Sequence, residues 1–553
     1  MSGQDNYPNK YSELRSICKY YIDSYNALYQ LKTENEEKLK SIYKNIKTEL
    51  IESRKYPPQI IIKDILNIIP NNNRYTKSYL FLAKLISDDY HVRTAKNVKL
   101  ISNFLFYKEY GIRLNTFDDF RNLKSQNLNI HTEDTIYRAI MYNDKERFIS
   151  FIETEGFDKN QTLKSELYPK TYFGLSFLEL CCYHGAVDCF KLLRTKFNSE
   201  ITQTSLKFSF LGGNPEIMSE CLKYQKPDRI CMGYAIISHN IDFVTFLMNE
   251  YNIEIDLSFC GWHNNLESFL VYFDQINDIN NCFVNSIIYN VSFLCKYFLS
   301  LGANINERDF LLHHAAFLNN RVTAEILISH GISINEKDNH GETALHKAAE
   351  NNCKETAEFL ISLGANINEK NDSRETALHK AAENNCKETA ELLISHGANI
   401  NRKDFLEDTL LEIAALNNCI ETAELLISLG AYINEKDAHG DTALHMAACN
   451  NCIETAELLI SHGADINEKN DHGETALHNA AEYNSKETAE ILISHGAYIN
   501  EKDNHGETAL HKAVENNCKE ITELFISHGV NINEKDEYGE TALHKAVEKI
   551  VKK

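Results

Sequence analysis

Long apolar runs are missing from this 553-residue chain. No stretch reaches eighteen uninterrupted apolar residues, and the nearest approach, Ile60 to Ile69, is broken by Lys63 and Asp64, so no segment has the length of a membrane-spanning helix. The opening MSGQDNYPNKYSEL lacks the apolar core of a signal peptide. The 15 cysteines include a single CxxC, Cys449 to Cys452, and the repeated Cys353, Cys386, Cys419, Cys452 and Cys518 stand a whole repeat apart, a poor geometry for a shared zinc ion or a disulfide. The signatures GxxxxGKS/T, GxGxxG, HExxH and GxSxG are absent as well, and with them the common kinase, dehydrogenase, zinc-hydrolase and serine-hydrolase readings. The single tryptophan, Trp262 in CGWHNN, is read as a packed or half-packed aromatic rather than a ligand platform. These absences predict a soluble cytoplasmic protein, a nuclear location being open, with no catalytic residue, cofactor or metal, no membrane insertion and no enzymatic activity.

What is present is repetition. Gly331, Gly364, Gly397, Gly430, Gly463, Gly496 and Gly529 fall 33 residues apart, each closing a copy of ETAELLISHGA. A fixed period of this size specifies a stacked array in which each unit buries its apolar face against its neighbours. In one copy, Thr343 stands at a helix N-cap, and Ala344, Leu345, Ala348 and Ala349 form a short apolar stripe. Asn351 and Asn352 break that helix, asparagine tolerating the left-handed conformation. A second helix follows from about Lys354 to Leu363 and stops at Gly364, and a polar connector leads to the next unit.

The Thr-Ala-Leu-His blocks at 343–346, 376–379, 442–445, 475–478, 508–511 and 541–544, at this period, resemble ankyrin repeats. The resemblance implies an all-α ankyrin-repeat solenoid of helix-turn-helix-hairpin units over residues 302–553, ending in a C-terminal capping helix. It also implies a structural hydrogen-bonding role between connectors for His346, His379, His445, His478, His511 and His544, and a helix-ending role for the glycines from Gly364 to Gly529. A metal ladder of these histidines is the sharper alternative, but repeat spacing does not supply converging ligands. The chain departs from the family pattern where Ala344 replaces proline, Asn352 replaces a turn glycine, and Thr356 and Ala357 replace larger aliphatics. The last change predicts thinner packing between repeats.

Upstream the period decays. Paired helical segments are traced at 135–156, 176–197, 205–224, 232–250, 258–273 and 284–302, and residues 121–301 are read as degenerate ankyrin-like repeats. This layout resembles the uncharacterised domain found ahead of ankyrin arrays in large protist families. The repeat lacks four residues between Asn306 and Leu312, which marks a candidate seam. Residues 1–120, aromatic at Tyr20, Tyr21, Tyr25 and Tyr29 and broken at Pro57–Pro58, predict an N-terminal helical domain. We expect it to cap the end of the solenoid, a separate recruiting module being the alternative.

Charge divides the chain. Residues 301–553 carry 44 acidic against 22 basic side chains, while residues 1–300 carry 35 of each. Such a field repels nucleic acid and suits protein partners of basic character, or serves solubility alone. The expected function is a non-enzymatic protein-interaction scaffold or adaptor, a monomer. The alternative is a substrate-recognition subunit of a larger enzyme complex such as a ubiquitin ligase. Candidate partner-binding residues lie where units disagree. Ser373 and Arg374 alter one connector, Phe405, Leu406 and Glu407 alter the next, and Glu412 replaces the TALH histidine. Repeat drift explains the same residues without function, and both readings stay open.

Overall fold

The computed structural model describes residues 10–552 except 54–55, 96, 116–119, 121–122, 124–133, 172, 290 and 306–309. The chain forms two compact units, Met1–Arg308 and Asp309–Lys553. The seam expected between Asn306 and Leu312 falls in part outside the described residues.

The second unit is an all-α ankyrin solenoid. Each repeat holds an inner helix, as at Ala344–Glu350, and an outer helix, as at Lys354–Ser362. Asparagine makes the turn between them at φ of 53° to 59°, at Asn319, Asn352, Asn385, Asn418, Asn451, Asn484 and Asn517. These asparagines do a second job. The Asn352 Oδ1 accepts from the Thr389 N–H at 3.1 Å and from its Oγ1 at 3.0 Å, and Asn319, Asn418 and Asn451 accept likewise from Thr356, Thr455 and Thr488. The buried threonines are therefore hydrogen-bond stations between repeats, which corrects the expectation that they merely thin the packing. The repeated cysteine has a similar use. Cys353, Cys386, Cys419 and Cys452 direct their thiols to carbonyls 36 residues back, at 3.5 to 3.7 Å, and all fifteen cysteines are free thiols.

The first unit holds helix pairs in all six upstream segments, from Ile136–Met141 with Lys145–Ile152 to Ile279–Ser286 with Ser292–Ser300. Among the described residues the only sheet is an antiparallel pairing of Thr162–Leu163 with Leu175–Ser176. The N-terminal helices Lys10–Ile17, Lys19–Tyr29, Pro58–Ile68 and Thr76–Asp89 do not stand on the end of these pairs, as a cap would. They run along the turns between paired helices. Tyr183 donates to the Pro70 carbonyl at 2.9 Å, and Gln30 donates to the His239 carbonyl at 2.6 Å. Further along, Tyr21 donates to Asn264 Oδ1 at 2.8 Å and Arg15 pairs with Glu267 at 2.5 Å. The physical reason is that a turn carries unpaired polar groups as well as apolar ones, and the aromatic helix Lys19–Tyr29, with the amides of Asn26 and the adjoining Gln30, satisfies both. His239, in a left-handed turn at φ 52°, stacks on Tyr29 at 4.1 Å, and burial lowers its pKa to about 3.

Candidate partner-binding surface

Among the described residues, each connector from Asp338 to Asp536 is a tight turn built on one acidic or amide side chain. Asp338 Oδ1 accepts from the N–H groups of His340 and Glu342, both at 2.9 Å, and Gly341 takes φ 71°. The divergent connector keeps this shape, since Asp404 Oδ1 accepts from Leu406 and Asp408 at 2.8 and 2.9 Å. The change lies in what the tips display. Phe405 and Leu406 are 66% and 56% exposed, an aromatic and an aliphatic side chain on one tip, where the other tips present polar ones apart from Ala438 and the exposed Tyr538.

Ser373 and Arg374 lie beside them. The Phe405 N–H donates to the Ser373 carbonyl at 2.9 Å, and Arg374 approaches Glu407 at 3.8 Å. Both members of that ion pair occupy the glycine slot at φ 62°, a left-handed conformation that costs a side-chain-bearing residue about 1 kcal/mol or more. An exposed ion pair returns less than that. Replacing Arg374→Gly and Glu407→Gly together is therefore expected to raise the melting temperature of the chain, by about 1 to 3 kcal/mol of added stability, as read by thermal denaturation. An unchanged or lower melt would mean that these side chains hold the tips in another way.

The structure separates Glu412 from this exposed group. It sits at the third position of the helix Leu410–Leu416, 1% exposed, where its Oε2 accepts from the Thr409 N–H at 2.5 Å. In sibling repeats the histidine at this position makes two kinds of bond. The Nδ1 of His346 accepts from the Thr343 N–H at 3.1 Å, so its Nε2 carries the proton and donates to the Glu375 carbonyl of the next connector at 3.1 Å. His313, His445, His478 and His511 repeat that reach at 2.8 to 3.3 Å, while His544 stands in the last repeat and bonds only its own Thr541. Burial lowers the pKa of His346, His445 and His478 and takes His379 to about 4, so these rings are neutral donors rather than charges. The ladder is interrupted at the divergent unit. Among the described residues the Nε2 of His379 and the Oε1 of Glu412 have no partner within hydrogen-bond distance, the Arg402 backbone being the group that bears on His379.

A second series, one residue after the histidine, escaped the sequence reading although the signal was there: Lys347, Lys380, Ile413, Met446, Asn479, Lys512 and Lys545. Lys347 pairs with its own connector at Asp338 and Glu342, and Lys380, Lys512 and Lys545 each pair with their own connector and the one before. Lys512 pairs with Glu474 at 2.7 Å, Asp503 at 3.3 Å and Glu507 at 3.5 Å. Lys545 pairs with Glu507 at 2.6 Å and Asp536 at 3.2 Å, and Lys380 with Glu375 at 2.6 Å and Glu342 at 3.6 Å. Burial alone would raise the carboxyl pKa values of Glu342, Glu375 and Glu474, but these ammonium groups hold them below the ordinary range. Around the divergent unit the sign reverses. Burial, reinforced by neighbouring carboxylates, raises Asp404, takes Asp408 to about 6 and Glu412 to about 8.

Trp262, expected to be packed, is 69% exposed and leans on Phe259 at 5.6 Å in the first unit. Among the described residues no group of three or more histidine, cysteine or carboxylate side chains is placed to hold a metal ion, and no helix is long and apolar enough to cross a membrane.

Comparison with known proteins agrees with this geometry. Residues 285–371, 363–437, 411–503 and 500–552 match the family model for ankyrin repeats, and residues 197–272 match that of a domain of unknown function, DUF3447. The chain thus contains ankyrin repeats, which are protein-protein interaction modules, and they begin one helix pair earlier than the regular period. Among solved structures, the ankyrin repeat domain of human ASB11 aligns at 21% identity with a TM-score of 0.37, covering 39% of this chain and 96% of that one. A search of the curated proteins gave no match.

Proposed function

We propose that the protein is a non-catalytic intracellular adaptor that docks a protein partner on the connector tips of its ankyrin array, centred on Ser373, Arg374, Phe405, Leu406 and Glu407. One observation carries this reading: a large aromatic and a large aliphatic side chain stand exposed on one tip that is hydrogen-bonded to its altered neighbour. Exposed apolar anchors beside polar, satisfied backbone are the usual centre of an interface. The kinship of the first half with the uncharacterised domain ahead of protist ankyrin arrays is supported by the match at 197–272. The reading in which residues 1–120 recruit an enzyme complex has less support, because that helical group directs many of its polar side chains to the turns of its own unit.

The test is affinity purification from native lysate with the full chain, beside a Phe405→Asn, Leu406→His variant that restores the majority tip. Loss of a specific protein from the variant is the expected outcome. An identical partner list would reduce the divergent tips to drift and move the search to the first 300 residues.

A further inference from the structure

The lysine series leaves one place in the array where carboxylates lack a cation. Each of Lys380, Lys512 and Lys545 serves its own connector and the preceding one, so the loss of a single lysine is covered by its neighbour. Glu375 keeps Lys380 although Ile413 follows, and Glu474 keeps Lys512 although Asn479 lies in its own repeat. The connectors at 404–408 and 437–441 have neither, because Ile413, Met446 and Asn479 are consecutive. Among the described residues Asp404, Asp408, Asp437 and Asp441 consequently make no ion pair, although Asp441 Oδ1 accepts from the Asn470 amide at 2.9 Å. Of the nearest cations by sequence, Lys403 pairs with Glu435 at 2.9 Å and Lys436 with Glu468 at 2.6 Å, and Arg402 makes no ion pair with these aspartates among the described residues.

By the pattern of Lys512, the ammonium missing at Met446 would sit among Asp408, Asp437 and Asp441. A second, independent feature marks the same spot. Glu412 lies beneath it, 1% exposed, with Oε1 unpartnered and with Asp437 and Asp408 as the charges acting on it. The carboxylates that bear on it are themselves costly to leave half-buried without a cation. The four lysine-bearing copies hold a half-buried ammonium at the same carboxylate positions.

We propose that Asp408, Asp437 and Asp441, where Met446 replaces the lysine of sibling repeats, receive a lysine or arginine side chain from a basic segment of the protein partner. The inference rests on the interaction reading above and gives the partner its chemistry. The exposed Phe405 and Leu406 belong to the same connector as Asp408, so the segment carries an apolar residue beside its cation. Charge complementarity supports the occupant: the net charge of the chain is −22 and resides in the array, and a half-buried acidic slot selects an ammonium or guanidinium on a long stem while repelling phosphate.

The experiment uses the full chain and a fluorescent octalysine peptide, with its fully acetylated form as control. Met446→Lys supplies the missing ammonium internally, as four sibling repeats do, so it should fold and melt higher than the parent. It should also weaken octalysine binding by about tenfold. Glu358→Gln, which makes the same change in net charge on an exposed outer helix, should weaken it far less. Equal weakening by the two variants would reduce the effect to bulk charge and overturn the slot, as would binding of acetylated peptide or a Met446→Lys chain that melts no higher. Native partner retained by Met446→Lys but lost on tip restoration would overturn the slot alone and leave the interaction reading standing.

Discussion

Glu412→His should make the array more stable at pH 8 than the parent chain and leave it nearly unchanged at pH 5. The carboxyl at position 412 is buried, with a pKa of about 8 in the folded protein, against an ordinary glutamate value of about 4.3. Between those values the unfolded chain has released the proton that the folded chain still holds. Stability is therefore fully present below about pH 4.3 and falls as pH rises towards 8, by about 1.4 kcal/mol per unit and on the order of 4 to 5 kcal/mol in all. Asp408, at about 6, adds loss of the same sign over the lower part of that window. Asp404, Asp437 and Asp441 face the same connectors without a cation, and His439 is the one group that opposes them at Asp408. Histidine removes the buried carboxyl and restores the donor that sibling repeats send to the next connector. Thermal melts of both chains at pH 5 and 8 read the difference. Parallel pH curves would show that residue 412 does not govern this loss.

Tyr21→Ala should loosen two separate parts of the first unit at once. The ring is 1% exposed, lies 4.7 Å from Tyr25 and 5.8 Å edge-on to Tyr289, and its hydroxyl is the donor to Asn264 Oδ1. Truncation removes a large buried aromatic, worth about 3 to 5 kcal/mol, and orphans a buried acceptor, worth about 1 to 3 more. Tyr21→Phe keeps the ring and should cost about 1 to 2 kcal/mol. Hydrogen exchange on the full chain distinguishes the mechanism. Amides of Leu257–Trp262 and Leu266–Ile276 should lose protection together with those of Lys19–Tyr29. Loosening confined to Lys19–Tyr29 would mean that the N-terminal helices lean on the turns without holding them.

How much of this was legible in the sequence follows from the kind of signal each feature leaves. Helix pairs, their asparagine turns and the closing glycines repeat at a fixed period, and periodicity alone locates them. In the upstream half the period has faded, yet Ser176 to Phe197 still shows two apolar stripes about Gly185, which takes φ 66°. The lysine series was legible in principle, as one column of the repeat alignment. Its meaning was not, because a lysine on an inner helix reads as a solvated charge until its three partners are seen to come from two connectors.

The sequence by itself determined that ankyrin units stack in this chain and which tips differ, since a repeat writes its own alignment and any departure stands out against six or seven copies. Tertiary structure alone decided three things. It laid the N-terminal helices along turns rather than over an end, buried Glu412 while exposing Phe405 and Leu406, and left Asp408, Asp437 and Asp441 together without a cation. The physical reason is common to all three. Burial and charge pairing depend on neighbours 29 to 38 residues away in the array and more than 200 away in the first unit, and no local pattern in the chain records which neighbour will be there.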